Sequence, residues 1–145
     1  MIKVLFVCHG NICRSPMAEY VMKDLVKKHG LEDRVEAASA AVSREEIGNP
    51  VYPPARRELQ RHGIACGGHR ARQITSADLE RYDRIYYMDG SNLRYLTRLF
   101  PDVPRERFQP LIGRDVADPW YTGDFSAAWD DIMEGCCRIL KELEV

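Results

Sequence analysis

Residues 2–7 read Ile-Lys-Val-Leu-Phe-Val, and the apolar run stops abruptly at Cys-His-Gly-Asn-Ile-Cys-Arg-Ser-Pro, residues 8–16. This junction constrains the fold more than any other stretch. A short, almost continuous apolar run rich in β-branched residues suits a strand buried on both faces. Beyond the loop, Ala18, Val21, Met22 and Leu25 fall at i, i+3, i+4 and i+7, the spacing of one helical face. Ser15 is in place to cap that helix, with Pro16 as its first residue. His29-Gly30 closes it, because glycine takes the left-handed cap position at little cost. A buried strand, a tight loop and a helix in succession make the opening of a parallel α/β unit.

The rest of the chain repeats the alternation. Strands are expected at 34–41, 84–89 and 106–112, the last weakened by Pro110. A proline-punctuated loop covers 48–54, and a short helix follows from Pro54 to Gly63. Residues 91–100 read as a helix capped by Ser91 and stopped before Pro101. From Phe125 onward, Trp129, Ile132, Cys136, Ile139 and Leu143 lie on one helical stripe. Strands alternating with helices imply a parallel sheet covered on both faces. Ligands of such sheets bind beyond the carboxyl ends of the strands, where the Cys8–Ser15 loop sits.

That loop has the makings of an anion cradle. Its amides and the positive end of the following helix converge on one spot. Gly10 allows close backbone approach or a positive φ. Asn11 tolerates a left-handed conformation. Arg14 adds a rigid fork of donors for two phosphate oxygens. The stretch lacks the Gly-Lys-Ser/Thr ending of a nucleotide triphosphatase loop. Cys8 turns a binding site into a reactive one, since the same amides and dipole stabilise a thiolate under the bound phosphorus. Ser15 is placed to hydrogen-bond the sulfur and ease its later departure.

Phosphoester cleavage also needs an acid, because a phenol with a pKa of ~10 leaves slowly as a bare anion at neutral pH. Asp118 is the candidate: it lies in a late loop, and Pro119 holds it extended. Trp120 and Tyr121 follow directly, as a wall for a flat aryl group or as loop anchors.

The formal net charge of -1 offers no basic field for nucleic acid or an anionic membrane. The chain of 145 residues suits one domain, 1–145. No apolar run approaches the ~20 residues of a spanning helix, and the run at 2–7 is too short for a signal-peptide core. Five cysteines, at 8, 13, 66, 136 and 137, do not form a secreted disulfide framework. A cytoplasmic protein with reduced thiols is expected. Zinc held by Cys8, His9 and Cys13 is disfavoured, because no second ligand pair stands at metal spacing. No metal and no cofactor are expected.

The stretch Val-Leu-Phe-Val-Cys-His-Gly-Asn-Ile-Cys-Arg-Ser-Pro-Met-Ala-Glu closely resembles the phosphate loop of the low-molecular-weight protein tyrosine phosphatases. The resemblance extends through 69–75, 82–96 and 118–125, in that order. It implies a three-layer α/β/α fold around a four-stranded parallel sheet, Rossmann-like with a flavodoxin-like strand order. It implies hydrolysis of phosphotyrosine in proteins or peptides through a phospho-cysteine, with inorganic phosphate as product. Cys8 would be the nucleophile, Arg14 the phosphate and transition-state ligand, Asp118 the general acid and base, and Ser15 the thiolate's partner. His9, Gly10, Asn11, Ile12 and Cys13 would line the substrate site, with Trp120 and Tyr121 as its wall. His69 would join Asn11 and Ser15 in a network that holds the loop, and Asp89 would stand just behind the pocket. Cys8 and Cys13 would form a reversible protective disulfide, and Tyr121 matches a position open to regulatory phosphorylation. A monomer or weak dimer is expected, with no nucleic-acid or membrane partner.

Two positions depart from the pattern. Glu45 stands where many members carry a rim aromatic, and a carboxylate there repels acidic peptides. Residues 39–41 are Ser-Ala-Ala where many relatives have Ser-Ala-Gly. Among alternatives, phospho-arginine phosphatases share the fold but typically carry threonine where this chain has Ile12. The shape of Ile12 and the Trp120-Tyr121 pair favour an aryl phosphate. Arsenate reductases share the oxyanion loop, but Cys66, Cys136 and Cys137 lack their relay arrangement.

Overall fold

A computed structural model describes residues 1–143. Four strands, β1 (Ile2–Cys8), β2 (Val35–Ala41), β3 (Arg84–Tyr87) and β4 (Phe108–Pro110), form one parallel sheet in the order β2-β1-β3-β4. The helices are α1 (Arg14–Lys28), α2 (Pro53–Arg61), α3 (Ser76–Arg81), α4 (Gly90–Leu99), α5 (Pro119–Thr122) and α6 (Phe125–Leu143). The expected α/β class and flavodoxin-like order are both present.

Strand β1 is central, and alternation along it builds both layers. Val4, Phe6 and Cys8 face a core shared with α1 and α6, through Met17, Val21, Ile132 and Ile139. Leu5 and Val7 face the other core, with Ile85 of β3 and Leu93 and Leu96 of α4. Each such side chain contributes ~1.5–3 kcal/mol by leaving water. This is why the 2–7 run is apolar at nearly every position. The stripe read on α6 is also real: Trp129, Ile132, Cys136 and Ile139 are buried.

Helix α1 ends as expected. Gly30 has φ 66°, the Leu31 amide donates to Val26 O, and the Gly30 amide donates to Lys27 O. Its start differs from expectation. The helix begins at Arg14 with Cys13 in the cap position, and Ser15 is its second residue. Ser15 caps nothing, because its hydroxyl is turned toward Cys8 instead.

Other boundaries shift for local reasons. Pro53 rather than Pro54 leads α2. Asp89, not Ser91, caps α4: its Oδ1 accepts from the Asn92 amide at 2.9 Å, and Asn92 Oδ1 accepts from the Asp89 amide at 3.2 Å. Strand β4 keeps only three residues and ends at Pro110. Helices α3 and α5 were not anticipated. Each is short, and each announces itself by a cap: Thr75 with Asp78 before α3, and Asp118 followed by Pro119 before α5. No helix among the described residues is long and apolar enough to cross a membrane.

Candidate active site

The carboxyl ends of β1 and β3, the 9–13 loop, and the segments leading into α4 and α5 converge on a cavity of about 630 Å³. Cys8 ends β1 at its floor. Its Sγ lies 3.0 Å from Ser15 Oγ and accepts from the Asn11 amide at 3.3 Å.

Asn11 organises the loop. It is fully buried, and its φ of 61° is the one positive value of a non-glycine among the described residues. Its Nδ2 donates to Ser15 Oγ at 2.8 Å and to Ser39 Oγ at 2.9 Å, and its Oδ1 accepts from the Arg72 amide at 3.1 Å. Once Cys8 is a thiolate its sulfur can only accept, so the Ser15 hydroxyl, which accepts from Asn11, donates to it. The competing acceptor, Ala40 O, is farther at 3.4 Å. His69 is buried and donates through Nε2 to Asn11 O at 2.8 Å, so hydrogen bonds join His69, Asn11 and Ser15. Ser39 donates onward to Glu19, which also takes Lys23.

The positive φ therefore falls on Asn11 and not on Gly10. Gly10 serves close approach: a Cβ there would meet Glu46 Cγ at 3.1 Å. Ala41 is the last residue of β2, paired with Cys8, so the Ser-Ala-Ala stretch remains extended strand.

Arg14 is 2% exposed, yet its charge is well matched. Nη1 donates to Asp89 Oδ2 at 2.7 Å and to Val116 O at 2.7 Å, and Nη2 lies 3.3 Å from Asp118 Oδ2. Burial opposes the guanidinium charge. The charges of Cys8, Asp118 and Asp89 outweigh it and raise the pKa above the usual arginine value. Asp89 thus orients the fork directly and caps α4 with its other oxygen.

Asp118 caps α5, and its Oδ1 accepts from the Trp120 amide at 3.0 Å. That bond fixes one oxygen and leaves the other toward Arg14. Pro119 is buried and anchors the loop. Trp120 and Tyr121 are 51% and 85% exposed and line the cavity. Trp120 leans on Tyr52, with ring centroids 4.7 Å apart.

Ile12 and Cys13 line the same cavity. Burial, and then the charges of Cys8 and Asp118, push the Cys13 thiol far up, so it stays protonated. His9 lines the cavity and pairs with Glu45 at 2.8 Å, so the rim carboxylate is not bare. No group of three or more His, Cys, Asp or Glu side chains among the described residues is arranged to hold a metal. Tyr95 escaped the sequence reading. It lines the cavity and meets the His9 ring edge-on at 5.4 Å. Its spacing of four from Ser91, another lining residue, was the available signal.

The family model "Low molecular weight phosphotyrosine protein phosphatase" matches residues 3–145. The chain is 39% identical to the low molecular weight protein-tyrosine-phosphatase YfkJ of Bacillus subtilis, over 99% of this chain and 97% of that one. It is 40% identical to the human low molecular weight phosphotyrosine protein phosphatase, over 96% and 93% of the two chains. The crystal structure of YfkJ superposes with a TM-score of 0.95, covering 99% of this chain and 95% of that one. The structure of DARP, a Drosophila arginine phosphatase, gives a TM-score of 0.89 at 35% identity, covering 99% of each chain. On this evidence the chain belongs to the low molecular weight phosphotyrosine protein phosphatase family.

Proposed function

We propose that this chain hydrolyses phosphotyrosine in proteins or peptides in two steps through a phospho-cysteine, releasing inorganic phosphate. One observation carries the reading. A sulfur beside the Ser15 hydroxyl and the Asn11 amide, a buried guanidinium and a helix-capping aspartate share one cavity.

Cys8, as thiolate, attacks phosphorus, and the bond from phosphorus to the phenolic oxygen breaks. Asp118, as the acid, gives that oxygen its proton. Arg14 and the loop amides hold the three equatorial oxygens as charge spreads over them. Asp118, now a carboxylate, takes a proton from water as the water oxygen attacks phosphorus. The sulfur–phosphorus bond breaks, and the departing thiolate is received by Ser15 and the Asn11 amide. Asp89 keeps the Arg14 fork in plane, and Trp120 and Tyr121 flank the aryl ring.

The reading includes one domain over 1–145, a cytoplasmic location, a monomer or weak dimer, and no metal or cofactor. It also includes redox protection through a Cys8–Cys13 disulfide and regulation by phosphorylation at Tyr121. The structural relative DARP makes phospho-arginine the rival substrate. Ile12 and the Trp120-Tyr121 wall support the aryl ester, which is flat where a guanidino group is polar on every edge.

The test is steady-state turnover of a phosphotyrosine peptide and of phospho-arginine in EDTA. Tyrosine-selective activity should vanish in Cys8→Ser and fall ~10²–10⁴-fold in Asp118→Ala. Turnover of phospho-arginine alone would overturn the substrate assignment.

A further inference from the structure

A second concavity, of about 540 Å³, adjoins the catalytic one. The two share Ile12, Glu46 and Trp120, so Trp120 acts as a partition and not as an end wall. Val51, Tyr52 and Pro53 supply apolar surface, and helix α2 brings Arg56 and Arg57 to its edge. Both arginines are exposed. Their neighbour Arg61 is tied to Glu58 at 3.2 Å, but Arg56 and Arg57 pair with no carboxylate among the described residues. Glu46 is the carboxylate lining this groove; it accepts from Asn49 Nδ2 at 2.6 Å and sits on the boundary shared with the catalytic cavity, where its charge counts against the two arginines.

The catalytic cavity has the opposite balance. Glu45, Glu46, Asp89 and Asp118 line it against Arg14 and His9. A substrate chain leaving the cavity past Glu45 meets a carboxylate with its His9 partner. A chain leaving past Trp120 meets two guanidinium groups with no carboxylate partner among the described residues, above an apolar floor. The groove begins at Trp120, which also lines the catalytic cavity, so a peptide leaving on that side carries the neighbours of the phosphotyrosine into it. We infer that this groove is a substrate subsite and that Arg56 and Arg57 select an acidic side chain on one side of the phosphotyrosine. The inference deepens the proposed function and rests on it. It makes the two arginines determinants of specificity through complementary charge.

The test reads binding apart from turnover. Cys8→Ser protein is titrated with three labelled phosphotyrosine peptides: glutamates on the amino side, glutamates on the carboxyl side, and lysines on both. At low ionic strength one glutamate peptide should bind about fivefold more tightly than the lysine peptide, the scale of two exposed ion pairs. Arg56→Gln with Arg57→Gln should reduce that ratio below about twofold, and Arg56→Glu with Arg57→Glu should reverse it. Salt near ~0.5 M should erase it. Equal binding of all three peptides, or a preference that survives both double substitutions, would overturn the inference. Failure of the wild type to hydrolyse any phosphotyrosine peptide would sink the proposed function while leaving this binding result readable.

Discussion

Replacing Asn11 separates two effects that the loop combines. Asn11→Ala deletes three side-chain hydrogen bonds, to Ser15, to Ser39 and from the Arg72 amide. At about 1 kcal/mol net each, their loss comes to ~3 kcal/mol. Alanine must also hold the φ of 61°, at a further ~1 kcal/mol. The sum is about 4 kcal/mol, out of a total stability of ~5–15 kcal/mol for an ordinary domain. That corresponds to a fall in Tm of ~8–16 °C at this chain length. Asn11→Gly loses the same three bonds without the strain, and that strain of ~1–2 kcal/mol outweighs glycine's extra entropy loss of ~0.5–1 kcal/mol, so glycine should be the more stable of the two by roughly 0.5–1 kcal/mol. At an ordinary position the order is reversed, because glycine carries the larger entropy loss. Urea unfolding of the two variants and the wild type, with equal m-values required, measures all three differences. Both variants should also lose activity, since the Ser15 proton is no longer steered to Cys8 by the Asn11 amide group. Alanine as stable as glycine, or a loss below ~1 kcal/mol in both, would refute the account of the loop.

Three further outcomes are expected. Gly135→Ala should destabilise by ~1–3 kcal/mol in urea unfolding, although alanine normally strengthens a helix interior. Its Cβ would fall 2.5 Å from Leu111 Cγ and 3.0 Å from Leu111 O. For Asp78, burial raises the carboxyl pKa, but the hydrogen bonds from Arg72 and the Thr75 amide outweigh it and hold the folded value below the usual range. The folded pKa is the lower one, so the pair adds stability above about pH 4 and loses it as pH falls through the depressed value. Asp78→Asn should be less stable than the wild type at pH 7 and converge with it in strong acid, as thermal melts across that range would show. Cys13 should resist iodoacetamide at pH 7.5 in the folded protein while exposed Cys137 reacts, because its thiol is held protonated. Peptide mapping showing Cys13 labelled as fast as Cys137 would contradict this.

Much of the fold was legible where it was local. The β1–loop–α1 unit could be read because strand burial, helical spacing and the Gly30 cap are each properties of a few neighbouring residues. The strand in β4 was overextended because periodicity cannot show where a partner strand ends. The caps on α4 and α5 are hidden in the sequence because Asp89 and Asp118 each serve two tasks. A carboxylate that caps a helix and faces Arg14 looks in sequence like an ordinary turn residue. Ser15 misled for the same reason: a good capping residue was turned to the sulfur instead.

The amino-acid order alone shows which groups can do chemistry: a cysteine ending a buried strand, an arginine in the loop that follows it, and an Asp-Pro in a late loop. Tertiary structure alone decided how they meet. The parallel sheet brings the carboxyl ends of β1 and β3 to one edge, so Asp89 and Asp118 reach an arginine far from both along the chain. It also chose Asn11 over Gly10 for the left-handed turn, set His9 against Glu45, and placed Arg56 and Arg57 beyond Trp120. These contacts join segments with no local coupling, and no propensity or spacing encodes them. They follow only from the order in which the strands pair.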